Sequence, residues 1–293
     1  IRRKTMPEIE RSGANPLQKY FRQPKIYIKL PSGGQFYPEG ALELTENGEL
    51  PVYAMTARDE LSFKTPDALL NGQSTVDVIQ SCIPNIKNAW AMPTVDIDTV
   101  LVAIRIATYG EKLDLTTRVP NTQGLERSFG LDLRMVLDKF AAVEFNDTIT
   151  IDEFTIKLRP QTYKEFTRVA TKTFEEQRIA QVIQEDDMDE QKKLEIFNTA
   201  FERLTAITID MVIDGVVSVQ VGDDVVTDRN HIVQFIQNAD KKFYAGVVEN
   251  METQKNKFSL KPIEIESTEE EIAAGAPKKW DMPVTFDQSN FFA

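Results

Sequence analysis

Histidine and cysteine are almost missing from this sequence: His231 and Cys82 are the single representatives in 293 residues. One thiol excludes an internal disulfide and fits a reducing compartment. One thiol and one imidazole cannot supply a structural zinc set, which needs a tetrahedron of such ligands. Long apolar runs are lacking as well. Val100 to Ala107 and Ile207 to Val221 are the longest, and both are interrupted by polar groups short of the roughly 18 residues a membrane helix needs. No basic region leading into an apolar stretch is visible, so no secretory signal is expected.

The shortage extends to catalytic pairs. Cys82 has only His231 as a possible base, and His231 follows a helix cap on a polar stretch, where a surface position is expected. Asp59 with Glu60, and Asp96 with Asp98, are carboxylate pairs at helix starts. The positive end of the helix dipole explains them without acid–base chemistry, at about 0.3–1 kcal/mol each. Ser32-Gly33-Gly34 lacks the Gly-Lys-Ser/Thr of a phosphate loop and reads as a turn. The acidic run Glu185 to Glu190 lacks the glycine and distal glutamate of a calcium loop. No catalytic residue, cofactor or metal ligand is therefore expected, and the chain is read as a non-enzyme.

What is present is charge asymmetry and dense local punctuation. The net charge is −12, yet Arg2, Arg3, Lys4, Arg11, Lys19, Arg22 and Lys25 crowd the first 25 residues. The acidic body repels phosphates and anionic lipid, so neither nucleic acid nor membrane is an expected partner. Residues 1–24 lack periodicity and read as an extended basic arm. Ile26, Ile28 and Leu30 then alternate with polar neighbours as a strand, with a turn at Pro31–Gly34 and a return strand at Gln35–Tyr37. Leu42–Leu44 and Leu50–Met55 read as further strands.

Helix signals follow. Thr65 and Pro66 start a helix that Gly72 stops, Ser74 with Asp77 resembles a capping box, and Asp96 caps a third helix ended by Gly110. Period two returns from Lys112 to Leu158. Tyr163 to Gln184 and the face Leu194, Phe197, Phe201, Leu204, Ile207, Met211 then predict two long helices, with a hairpin around Gly222-Asp223. Thr227 is the expected cap of the next helix, and Phe243, Val247 and Met251 line the last. From Ser259 to Ala293 no packed element is legible, only an acidic tail carrying Trp280, Phe286, Phe291 and Phe292.

The stretches LPSGGQFYPEG, TPDALLNG, SCIP and the D-x-D helix ending in IRIATYG together resemble the baseplate hub proteins of T-even-type contractile-tailed bacteriophages. The resemblance covers about residues 15–160. It implies a structural part of the hub from which tail tube and sheath grow. Many relatives place a zinc-ribbon-like Cys-Pro-x-Cys after the TYG helix. Here TTRVPNTQGLERSFGLDL has no cysteine, so a hairpin held by Leu113, Leu115, Phe129 and Leu131 without metal is expected.

The expected fold class is α+β. An N-terminal domain of mixed hairpins and short helices, with a degenerate zinc-ribbon-like hairpin, spans 25–160. A mainly helical domain with a hairpin near 216–226 spans 161–258, and extended arms cover 1–24 and 259–293. The resemblance implies docking of neighbouring hub or tail proteins, possible contact with the tape-measure protein, and an oligomeric assembly built in the host cytoplasm and carried in the virion. Trp280, Phe286, Phe291, Phe292, Tyr20, Phe21 and Arg22 are the expected partner-binding residues, since aromatic and arginine side chains anchor interfaces. An assembly chaperone that leaves before maturation and a tail-associated hydrolase are the competing readings.

Overall fold

Ile26 and Ile28 do alternate into a core: β1 (Pro24–Ile28) pairs antiparallel with β2 (Leu50–Tyr53). The computed structural model describes residues 21–63, 72–185, 189–259 and 262–282. The return strand expected at Gln35–Tyr37 does not form. Residues 31–36 are successive turns in which Gly33, Gly34 and Phe36 take φ of 61°, 84° and 69°, outside the strand region. Leu42 contributes only an isolated bridge to Ile86.

Three helices build the first core: α1 (Ala57–Phe63), α2 (Gln73–Cys82) and α3 (Thr94–Tyr109). The helix expected from Thr65 lies outside the described residues. The α2 capping box of Ser74 and Asp77 does not form, because the helix already starts at Gln73 and the Ser74 hydroxyl donates to the Ser62 carbonyl instead, at 3.0 Å. Helix α3, TVDIDTVLVAIRIATY, carries apolar side chains around most of its circumference and is buried accordingly. It packs against β1, β2, α2 and the later helix that carries Leu133, Val136 and Phe140. Gly110 ends it with φ 94°.

β3 (Lys112–Arg118) and β4 (Glu126–Asp132) form the expected hairpin, with Leu113 opposite Leu131 and Leu115 opposite Phe129. The alternating pattern then breaks. Leu133, Val136 and Phe140 lie on one buried face of α4 (Leu133–Ala141), whose N-cap Asp132 accepts from the Arg134 N–H at 2.9 Å. Reading period two straight through to Leu158 misses this helix.

β5 (Thr148–Ile151), β6 (Phe154–Leu158), β7 (Val216–Val221) and β8 (Asp224–Val226) form one antiparallel sheet in that order. Between β6 and β7 run α5 (Tyr163–Glu185) and α6 (Glu190–Gly215). After β8 come α7 (Arg229–Asn238) and α8 (Lys241–Lys257). Asp228, one residue past the expected Thr227, caps α7 by accepting from the Asn230 and His231 N–H groups. The second core lies on this sheet, where the rings of Phe154, Phe235 and Phe243 meet at 4.9–5.5 Å.

The boundary expected between residues 160 and 161 therefore falls within one core. β5 and β6 precede it, yet they pair and pack with elements that follow it. The link is bonded to both sides: Arg159 N–H donates to Gly215 O, Tyr163 N–H to Met92 O, and Gln161 O accepts from Thr94 N–H, each at 2.8 Å.

The region after Ser259, read as an extended tail, contains β9 (Ile263–Glu266), α9 (Glu269–Ala273) and β10 (Lys279–Met282). β9 pairs with β10, and Thr268 with Glu271 forms a reciprocal capping box. This small unit sits on the β3–β4 hairpin. Ile265, Ala276, Trp280 and Met282 form a cluster with Val119, against which Leu115, Phe129 and Leu131 pack. Gly275 lies so close to the hairpin tip that a Cβ there would be 2.8 Å from the Asn121 carbonyl oxygen.

Candidate interaction surfaces

The residues expected to bind partners separate into three groups. Trp280 belongs to the chain's own core: it is 8% exposed and meets the Phe129 ring edge-on at 6.3 Å. It faces inward because β10 pairs with β9 and turns one face onto the hairpin. Arg127 fastens the same contact, donating to the Glu266 carbonyl and pairing with buried Glu271 at 3.1 Å. The β3–β4 hairpin is thus clamped by an apolar cluster from a segment more than a hundred residues away.

Arg22 is also turned inward. Its guanidinium donates to the Ala54 carbonyl at 2.7 Å and to the Ser81 carbonyl and hydroxyl, and lies 3.5 Å from Asp59. Asp59 in turn accepts from Thr56 N–H and from the Ser81 hydroxyl. A cation placed against the last carbonyls of α2 and a carboxylate in the first turn of α1 meets both helix dipoles favourably. Phe21 beside it is exposed. Tyr20, Phe286, Phe291 and Phe292 lie outside the described residues.

The surface that the sequence assembles as one helix face is on α5 and α6. Ion pairs Arg168–Asp214 (3.1 Å) and Arg203–Glu176 (3.3 Å) set the two helices antiparallel. Among the described residues only their ends enter the large clusters, Tyr163 in the first and Ile209 to Ile213 in the second. Farther out, Leu194, Phe197 and Phe201 follow each other at helical spacing and remain 60%, 52% and 63% exposed, with Phe174 also exposed on α5. Periodicity reports that apolar residues share a face; it does not report whether the chain covers that face.

A buried carboxylate, Asp96, and a half-buried one, Asp98, mark the junctions. Asp96 accepts from Ser32 N–H (2.8 Å), Ser32 hydroxyl (2.6 Å) and Tyr37 hydroxyl (3.0 Å), tying the Pro31–Phe36 turns to α3. It is not the expected N-cap, since α3 begins at Thr94 and Asp96 points into the fold. Burial pushes its carboxyl up to about 6 despite those hydrogen bonds. Asp98 lines a cleft of about 290 Å³ between the two large cores, among Phe145, Phe166, Met211 and Met251. Burial pushes it up to about 6 as well, against the pull of Lys255.

Chemistry is sparse elsewhere. Cys82 is buried in the first core, where burial first and Asp59 second push its thiol up to about 12. His231 sits exposed on α7, against the second core. Among the described residues no three His, Cys, Asp or Glu side chains are grouped to hold a metal ion. No described helix is long and apolar enough to cross a membrane.

The chain is an α+β protein with small antiparallel sheets and an exposed apolar stripe on a long helix. The model of the T4 bacteriophage base plate protein family matches residues 23–274, and the chain belongs to that family. No curated protein and no solved structure matches the chain significantly. Membership places the protein in the base plate of a phage tail, in the company of other tail proteins.

Proposed function

We propose that this base plate protein is a non-enzymatic component of the hub of a contractile tail, docking neighbouring hub or tail proteins as the structure is assembled. The observation that carries the reading is the uncovered stripe of Leu194, Phe197 and Phe201 on α6. A soluble protein that keeps two phenylalanines and a leucine in water on one helix face holds them for a partner. Phe21 at the start of the body, with Tyr20, Phe286, Phe291 and Phe292, is proposed to extend the docking set. Trp280 and Arg22 leave that set because the fold already uses them. The tape-measure protein and further copies of this chain are the partners of interest, with assembly in the host cytoplasm.

The test is replacement of Phe197 and Phe201 by Ser. Surface substitutions change stability by within about 0.5 kcal/mol, so the variant is expected to fold normally. If the stripe anchors a neighbour, the loss is about 2 kcal/mol or more of binding per ring, and tails purified from cells supplying only this variant lack the protein. Normal incorporation of the double variant refutes the reading. Mass spectrometry of wild-type particles separates the second reading: absence from mature tails marks an assembly chaperone.

A further inference from the structure

Among the described residues β1 has one neighbour, β2. Its register with β2 sets Ile26 opposite Val52, Tyr27 opposite Pro51 and Ile28 opposite Leu50. Proline has no N–H, so the Tyr27–Pro51 pair occupies the position that exchanges no hydrogen bonds, and both backbone groups of Tyr27 face away from β2. On that outer side no described residue pairs with the backbone of residues 25–29. The two edges of this small sheet are therefore unequal. The outer edge of β2 is blunted by Pro51, whereas that of β1 keeps its donor and acceptor.

The open edge borders a groove rather than bulk solvent. A recess of about 300 Å³ runs along Ile26 to Lys29, floored by Thr99 and Ile106 of α3 and walled on its far side by Leu137, Asp138 and Arg134 of α4, the last of these paired with Glu111. A strand laid beside β1 continues its pleat. Its side chains level with Ile26 and Ile28 face the floor of Thr99 and Ile106, and those level with Lys25, Tyr27 and Lys29 face water. On the outer face the two exposed lysines flank the aromatic ring, with Tyr27 61% exposed.

We propose that the β1 edge is a docking site for an extended segment of a neighbouring protein, which adds a third strand to the β1–β2 sheet. The segment alternates apolar residues, directed at Ile106 and Leu137, with acidic residues directed at Lys25 and Lys29. Backbone pairing supplies the binding and the alternating side chains supply the selection. The inference rests on the docking role proposed above and names one chemistry for it.

The test uses the full chain and a fluorescent seven-residue peptide alternating isoleucine with glutamate, followed by anisotropy. Controls are the same peptide with lysine for glutamate, and with a central proline. The glutamate peptide is expected to bind saturably and at least tenfold more tightly than either control. Lys25→Glu with Lys29→Glu, checked for folding by circular dichroism, is expected to reverse the preference between the acidic and basic peptides. No saturable binding, equal binding of all three peptides, or an unchanged preference in the double variant each overturns the edge site. Incorporation of the Phe197 and Phe201 variant into tails reports on the docking role separately, so either idea fails without the other.

Discussion

Asp96 is the most informative single position, because its removal sets two sizeable terms against each other. In Asp96→Ala the Ser32 N–H, the Ser32 hydroxyl and the Tyr37 hydroxyl lose their common acceptor inside the fold. Each buried group left without a partner costs about 1–3 kcal/mol. Against this, the wild-type carboxylate is itself held at a cost. With its carboxyl pushed up to about 6 from 3.8, ionisation in the folded state is disfavoured by about 3 kcal/mol relative to the unfolded chain. A raised acid contributes its stability fully below the unfolded value and loses it as pH rises through the folded one. The wild type is therefore expected to weaken from pH 4.5 to 7.5, with Asp98 adding to the same slope. Glu165, held low by Arg159 and Thr162 against its burial, acts in the opposite sense and only as pH falls below its ordinary range. Urea unfolding across that window is the assay. Asp96→Ala is expected to lose about 2–4 kcal/mol at neutral pH and more at pH 4.5, where the wild type carries only about a third of that penalty. Asp96→Asn keeps an acceptor for the Ser32 N–H and removes the charge, so it is expected to stay within about 1 kcal/mol at neutral pH and to lose about half the slope. A loss below about 1 kcal/mol in the alanine variant, or an unaltered slope in the asparagine variant, refutes this account.

Trp280→Ala is expected to cost about 3–5 kcal/mol, since it empties the cluster that joins β9 and β10 to the β3–β4 hairpin; an unchanged thermal midpoint contradicts that placement. Cys82, buried and raised to about 12, is expected to react with a thiol reagent at pH 8 only as fast as the protein opens, and labelling within seconds in native buffer speaks against it.

Much of the chain's local structure was legible in its residues. Gly110 as the stop of α3, the helix from Tyr163, the β3–β4 hairpin and the β7–β8 turn at Gly222 all rest on signals contained within one element or one turn. The resemblance of the LPSGG, SCIP and TYG stretches led to the same family that the match over residues 23–274 shows. The capping residues were less certain guides. Asp96 and Ser74 stand where caps are common, but the helices begin earlier and both side chains bond to distant segments.

The choice of partners belonged to the tertiary structure. Alternation identifies β1 as a strand without naming β2 as its mate, and the positive φ of Phe36 removes the nearer candidate. β9 and β10 are four residues each, too short for periodicity to register, and they are stable as strands because Trp280 and Ile265 find a hairpin remote in sequence. The same stripe pattern describes Phe243 and Val247, which are buried, and Phe197 and Phe201, which are not. A local pattern reflects backbone geometry over a few turns, whereas burial depends on which distant surface arrives to exclude water, and only the assembled fold settles that.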